Sequence, residues 1–253
     1  MSDILHHTMP DGRRIAYRHT PGTGPVPSPT IVFLPGYMSD MEGGKATALF
    51  DWAKTNGRGC LLLDYSGCGA SAGKFGGDFA DGTLSRWSEE VRALIDAVVD
   101  GPVVLVGSSM GGWLMLLVGL ALGERLAGMV GIAPAPDFTQ WGRSEEDKAR
   151  LRAGETVFDP NPYGPEPTPM HPGFFADGQA QLLLEGEIAI SCPVRLLHGQ
   201  RDADVPWDIS LRLAQALRSS DVQVTLVKDG DHRMSGEAEI ALLKRIVADL
   251  LAP

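Results

Sequence analysis

The run Gly107-Ser108-Ser109-Met110-Gly111 sets a serine between glycines at a spacing suited to nucleophilic chemistry. An apolar stretch, residues 102–106, precedes it, and an apolar helical run, residues 112–122, follows. At such a strand-to-helix junction a G-x-S-x-G sequence describes a nucleophile elbow. The flanking glycines permit the strained, tight turn that lifts the serine above a sheet. The N–H of Met110, at the helix start, can then point at an oxyanion. The same residues also suit a small-residue turn in which Ser109 caps the helix. The elbow is the preferred reading because partners for the serine follow in the chain. They are required: a serine hydroxyl is a poor nucleophile at neutral pH, so Ser109 needs a base, and the base needs an orienting carboxylate.

Two loops supply them in the order serine, acid, histidine, one of the orders known for such triads. His198-Gly199-Gln200-Arg201-Asp202 follows the apolar run 193–197, which puts Asp202 at the carboxyl end of a strand. Loops at that end are where parallel sheets present ligand-facing groups. Gly230-Asp231-His232 follows the run Val222–Val227 in the same manner. The chain has six histidines. His6, His7 and His19 belong to an N-terminal hairpin and His171 to a proline-rich stretch. His198 ends a strand and reads as a structural hydrogen-bonding residue. His232 alone combines the order with the loop context. Asp204 is a rival acid on the Asp202 loop, but spacing favours Asp202. Asp231 adjoins the histidine, and adjacent residues rarely face each other well enough to hold an imidazole, so a loop-bracing role suits it.

The second oxyanion donor is expected on the loop after Thr30–Leu34, where Gly36 in Leu34-Pro35-Gly36-Tyr37 lets backbone approach the substrate closely. The N–H groups of Tyr37 and Met110 are assigned as the pair; alone, Pro35-Gly36 would be an ordinary turn. Asp64-Tyr65-Ser66-Gly67-Cys68-Gly69-Ala70-Ser71 is similar to a glycine-rich phosphate loop. It lacks a following Gly-Lys-Ser/Thr and opens no clear helix, so it reads as a rigid loop bracing the site. No His, Cys or carboxylate spacing suits a zinc or two-metal site, so neither metal nor cofactor is expected.

The elements that must carry these residues follow from apolar periodicity. Residues 4–8 and 14–19, joined through Pro10-Asp11-Gly12, predict an antiparallel hairpin. Thr30–Leu34, Cys60–Leu63, residues 103–106 and residues 129–133 are short, continuous and apolar, as are strands buried on both faces of a parallel sheet. Residues 194–197 and Val222–Val227 bring the total to about eight strands. Helical patterns occupy Gly44–Thr55 and residues 85–99, 109–122, 209–217 and 237–251. Such alternation predicts a doubly wound, mostly parallel sheet flanked by helices. The periodicity breaks between Pro134 and Ser191, a stretch rich in proline and glycine with one charged helix near residues 144–154. A long irregular insertion of this kind reads as a lid. Its aromatics Phe138, Trp141, Phe174 and Phe175, with Trp113 from the helix after Ser109, are expected to roof a substrate pocket.

The chain of 253 residues, 43% of them hydrophobic, is long enough for one large α/β domain. Its net charge of −10 argues against a nucleic-acid partner. The first seven residues have neither a basic nor an apolar leader region. The longest apolar segment, residues 113–122, is too short to span a bilayer. Three cysteines do not make a disulfide framework. These features predict a cytoplasmic, soluble chain.

Together these residues resemble the α/β-hydrolase superfamily, and within it the family of the mitochondrial palmitoyl-protein thioesterases, α/β-hydrolase domain-containing protein ten. The likeness rests on LPGY at 34–37, DYSGCGAS at 64–71, GSSMGGWLM at 107–115, CPVRLLHGQRDADVPW at 192–207 and DHRM at 231–234. It implies Ser109, Asp202 and His232 as a triad that hydrolyses S-acyl thioesters and carboxylic esters, including acyl glucuronides. No amphipathic, Arg- and Ser-rich transit segment precedes Ile4, so mitochondrial import is not expected. The expectation is a single α/β-hydrolase domain, residues 1–253, with an eight-stranded sheet and a lid at about 134–191. It would work through an acyl-enzyme on a small-molecule ester, an acyl thioester or an acylated protein. Two alternatives stay open: a generic carboxylesterase for small or aryl esters, and a catalytically silent binding protein on the same fold.

Overall fold

Strands made of unbroken apolar residues can rest only where helices cover both faces of the sheet. The computed structural model describes residues 3–23, 28–162 and 164–252; Met1 and Ser2, within the segment read above for a leader, lie outside them. The strands are β1 (Leu5–Thr8), β2 (Arg14–Thr20), β3 (Thr30–Leu34), β4 (Cys60–Leu63), β5 (Val103–Ser108), β6 (Leu126–Ile132), β7 (Val157–Asp159), β8 (Thr168–Met170), β9 (Val194–Gly199) and β10 (Val222–Val227). Eight of them form one sheet in the order β1-β2-β4-β3-β5-β6-β9-β10. β2 runs antiparallel to both its neighbours, and the pairs from β4 to β10 are parallel. This is the mostly parallel sheet expected from the periodicity, in the eight-stranded form that the resemblance implies.

The helices are α1 (Gly44–Thr55), α2 (Leu84–Val98), α3 (Met110–Leu122), α4 (Phe138–Trp141), α5 (Glu145–Arg152), α6 (Pro172–Ala180), α7 (Asp208–Ala216) and α8 (Glu237–Leu250). Alternate strand residues feed opposite faces. Val32, Leu34, Leu61, Leu63 and Leu105 pack with α2, α3 and α7, while Ile31, Phe33, Leu62, Val104 and Val106 pack with α1 and α8. β6 begins three residues earlier than its apolar run suggested. Leu126, Ala127 and Gly128 extend it, and Gly128 lies close against the Leu250 side chain.

The insertion is more regular than its composition predicts. Besides the charged helix α5 it holds α4, α6 and the antiparallel pair β7–β8. Proline content misled the reading because the prolines sit where they cost little. Pro172 opens α6, where its missing N–H has no intrahelical partner to lose. Pro169 lies in a strand of a two-stranded sheet, which is all edge.

Candidate active site

The residues between β5 and α3 make the elbow. Ser109 has φ 55 and ψ −122, a conformation an L-residue holds only under constraint. The constraint is visible: its N–H donates to the Ile132 carbonyl at 2.9 Å, and its own carbonyl accepts from Gly112 at 2.8 Å and Ala135 at 3.0 Å. Gly107 and Gly111 are needed for space, since a β-carbon on Gly107 would collide with the Gly111 carbonyl, and one on Gly111 with the Leu34 carbonyl. The Ser109 side chain makes no capping bond to α3. Its Oγ instead lies 3.1 Å from His232 Nε2, so the helix-capping alternative does not describe this serine.

β9 and β10 pair in register, His198 beside Leu226 and Gly199 beside Val227, which sets their following loops side by side. Gln200 and Arg201 N–H groups donate to the Val227 and Gly230 carbonyls at 2.8 and 2.9 Å. The loops thereby bring His232 Nδ1 to 2.8 Å from Asp202 Oδ2. The other carboxylate oxygen accepts the Asp204 and Val205 N–H groups at 2.9 and 2.8 Å. The Asp202 side chain is fully buried. Burial opposes its ionisation, but hydrogen bonds from His198 and His232, the His232 charge and the Val205 N–H outweigh that and hold its carboxyl well below the usual range. With Asp202 ionised, Nδ1 of His232 carries the proton and Nε2 is left to accept from Ser109. The rival acid, Asp204, contributes its backbone N–H to this network. Asp231 braces its own loop by accepting the Met234 N–H at 3.1 Å.

His198 contributes more than a structural bond. It is fully buried, and its Nε2 faces both Asp202 Oδ2 and the Val205 carbonyl at 3.1 Å, two acceptors that require a proton on that nitrogen. Nδ1 then accepts from the Ser210 hydroxyl at 2.7 Å. The sequence signal was its position four residues before the acid. Asp202, Asp204 and His232 also place ligand atoms within 4.8 Å of one another. The Asp202 oxygens already accept from four donors, which suits an acid–base relay rather than a cation.

A cavity of about 700 Å³ opens over Ser109 and His232. Gly36 backs onto Ser109: a β-carbon there would lie 3.3 Å from Ser109 Cβ and from the Ser108 carbonyl oxygen. Tyr37 and Met110, the expected oxyanion donors, line this cavity, and Met110 opens α3, where the first N–H groups have no intrahelical acceptor. Burial pushes the Tyr37 phenol far up, and its hydroxyl donates to the Pro169 carbonyl at 2.9 Å, tying β8 to the loop after β3. Of the aromatics expected to roof the pocket, Phe138 and Trp141 line it. Trp113, Phe174 and Phe175 do not. They are buried in the core, Trp113 edge-on to Phe138 at 5.8 Å and Phe174 edge-on to Tyr37 at 4.9 Å, forming the layer behind the wall. Aromatic content marks a segment as packed but does not say which ring packs against what. Charged lining residues went unnoticed in the sequence. Arg143 forks onto Asp159, and Lys45 donates to the Arg233 carbonyl beside His232. Burial, with repulsion from Arg233, pulls Lys45 down to about 8.

The pattern of the alpha/beta hydrolase family matches residues 31–243. Human palmitoyl-protein thioesterase ABHD10, mitochondrial, is 37% identical over 248 residues, covering 96% of this chain and 78% of that protein. A crystal structure from Agrobacterium vitis S4, described as that of a hydrolase, superposes with TM-score 0.90 at 37% identity, covering 99% and 100% of the two chains. Alpha/beta hydrolase domain-containing protein 10 from mouse superposes with TM-score 0.88 at 35% identity, covering 98% of each. The expected cytoplasmic location does not stand. The similar proteins from human, orangutan and mouse are all mitochondrial and point to mitochondria instead. That expectation rested on the first residues of the given sequence and on composition, neither of which outweighs the relatives. Among the described residues, no helix is long and apolar enough to cross a membrane.

Proposed function

The chain belongs to the alpha/beta hydrolase family, and from that premise we propose that it cleaves acyl thioesters and carboxylic esters through an acyl-enzyme on Ser109. The observation that carries this is the unbroken hydrogen-bond chain from Ser109 Oγ through His232 to Asp202. Ser109 attacks the acyl carbonyl while His232 Nε2 takes its proton, and Asp202 holds the imidazole tautomer. The N–H groups of Tyr37 and Met110 stabilise the tetrahedral oxyanion. His232 then delivers the proton to the departing thiolate or alkoxide and activates the water that releases the acid. Residues 134–191 serve as the lid of a single domain, with Phe138 and Trp141 against the acyl group. The thioester side of the reading draws on the relatives, which are palmitoyl-protein thioesterases; an S-acylated protein is the corresponding substrate class.

A second reading, an esterase for short or aryl esters, is favoured by the charged groups Lys45, Arg143, Asp159 and Arg233 in the cavity lining. The first test is labelling by a fluorophosphonate probe. The wild type is expected to label and Ser109→Ala to fold and remain unlabelled. Labelling of the variant at wild-type level overturns the assignment. Paired esters and thioesters of rising acyl length then decide between the two substrate readings.

A further inference from the structure

The glycine-rich run at 64–71, which matches no phosphate loop, lies between β4 and α2 and reaches both ends of the loop that carries Tyr37. Tyr65 is fully buried and donates its hydroxyl to the Pro35 carbonyl at 3.1 Å. Asp64, also buried, accepts the Met41 N–H at Oδ1 and the Ala70 N–H at Oδ2, both at 2.7 Å. The Ser71 hydroxyl completes the run, accepting the Ala16 N–H at 2.7 Å and donating to the Asp64 carbonyl at 2.8 Å. Between the two anchored ends, the Gly36 carbonyl accepts the Ser39 N–H at 3.1 Å. A trans peptide is planar with its C=O and N–H opposed, so the Tyr37 N–H points away from Ser39. Met38, next in line, has φ 55, and such strain in a non-glycine residue persists only where its surroundings over-determine it.

We propose that Asp64 and Tyr65 are positioning residues for the oxyanion hole, holding residues 35–41 at both ends and so fixing the direction of the Tyr37 N–H. This rests on the acyl-enzyme reading, in which Tyr37 supplies one donor. The Pro35 carbonyl accepts the Tyr65 hydroxyl and lies close against Gly111, where a β-carbon would not fit. The peptide joining Pro35 to Gly36 therefore cannot rotate without breaking a buried hydrogen bond, and the next one, which carries the Tyr37 N–H, cannot rotate without breaking the Gly36–Ser39 bond. At the other end, each Asp64 oxygen faces an N–H donor. Protonating either oxygen sets an O–H against an N–H, so one bond of the clamp is lost. Burial, followed by the acidic neighbours Asp40 and Glu42 on the held loop, lifts this carboxyl to about 6; Cys68 and Tyr65 are the other titratable groups beside it.

Tyr65→Phe tests the clamp with little disturbance, because it keeps the ring stacked on Trp87 at 5.2 Å and removes one hydroxyl. A trifluoromethyl ketone, which adds to the nucleophile as an oxyanion, reports on the hole directly. Expected are a fall in kcat of about tenfold or more, ketone affinity weakened in parallel, and KM within about twofold of wild type. Unchanged kcat and ketone affinity, or a loss confined to thermal stability, overturns the proposal. Asp64→Asn should show the same split, with its kcat deficit larger above about pH 6, where the wild-type carboxylate is ionised, than below it. A deficit independent of pH overturns the role given to Asp64. Wild type that fails to label with a fluorophosphonate removes both readings; wild type that labels beside an unshifted Tyr65→Phe removes only this one.

Discussion

Asp202 and Asp204 are two residues apart, and the structure gives them different tasks. Asp202 meets the imidazole, whereas Asp204 lends a backbone N–H that any residue but proline would supply. Asp202→Asn is therefore expected to lower kcat by about 10⁴, since the amide favours the wrong imidazole tautomer. Asp204→Asn should cost far less. Steady-state kinetics of the two variants check this, and a reversed ranking would move the acid by two residues. Chelation by EDTA is expected to leave activity unchanged, because the Asp202 oxygens are engaged by hydrogen-bond donors; loss on chelation with recovery on adding a metal would contradict it. At this scale the meeting of Ser109, His232 and Asp202 was legible, because their spacing follows strand ends that apolar runs announce. The contact of His198 with the acid was not, because its place four residues before Asp202 does not by itself state how that loop folds back.

The insertion shows the same divide among elements. α4 presents Phe138 and Trp141 to the cavity, while α6 buries Phe174 and Phe175 beneath it. The two helices should answer mutation differently. Each methylene buried against an apolar wall is worth about 0.8 kcal/mol, so kcat/KM should rise with acyl length until the cavity is full. Trp141→Ala is expected to flatten that rise while sparing acetyl esters. Phe174→Ala is expected to cost about 3–5 kcal/mol of stability, as core aromatics do, with the acyl profile largely kept. Chain-length kinetics beside urea denaturation separate the two outcomes; a flattened profile for Phe174→Ala with unchanged stability would put that ring in the pocket after all. Aromatic content pointed to a packed insertion, but which ring faces substrate depends on how α4 and α6 sit on each other.

Across the whole molecule, two buried carboxylates pull stability in opposite directions with pH. Asp202 has its folded value lowered, so its contribution is present above the ordinary carboxylate value and lost as pH falls through the folded one. Asp64 is raised from 3.8 to about 6. Within that window the folded protein holds a proton that the unfolded chain has released, so its contribution declines as pH rises. Asp64→Asn removes this second dependence. The difference in unfolding free energy, wild type minus variant, is expected to fall between about pH 4 and pH 6 in denaturant titrations. A constant or rising difference would contradict the raised value.

What the amino-acid order determined by itself is everything whose cause is local. Unbroken apolar runs demanded a sheet covered on both faces, and glycines around Ser109 permitted the elbow. The succession of serine, acid and histidine on strand-following loops then singled out Ser109, Asp202 and His232, which meet in the structure. Tertiary structure alone decided what depends on residues far apart in the chain. Ser109 and His232 are 123 positions apart, and Tyr37 is tied to Pro169 across 132. Their meeting follows from the strand order β3-β5-β6-β9-β10, which sets the carboxyl ends of β3, β5, β9 and β10 around one cavity. The physical reason is one of range. Dihedral preferences and apolar period act over a few residues, whereas the direction of a side chain or N–H is set by whichever distant surface packs against it.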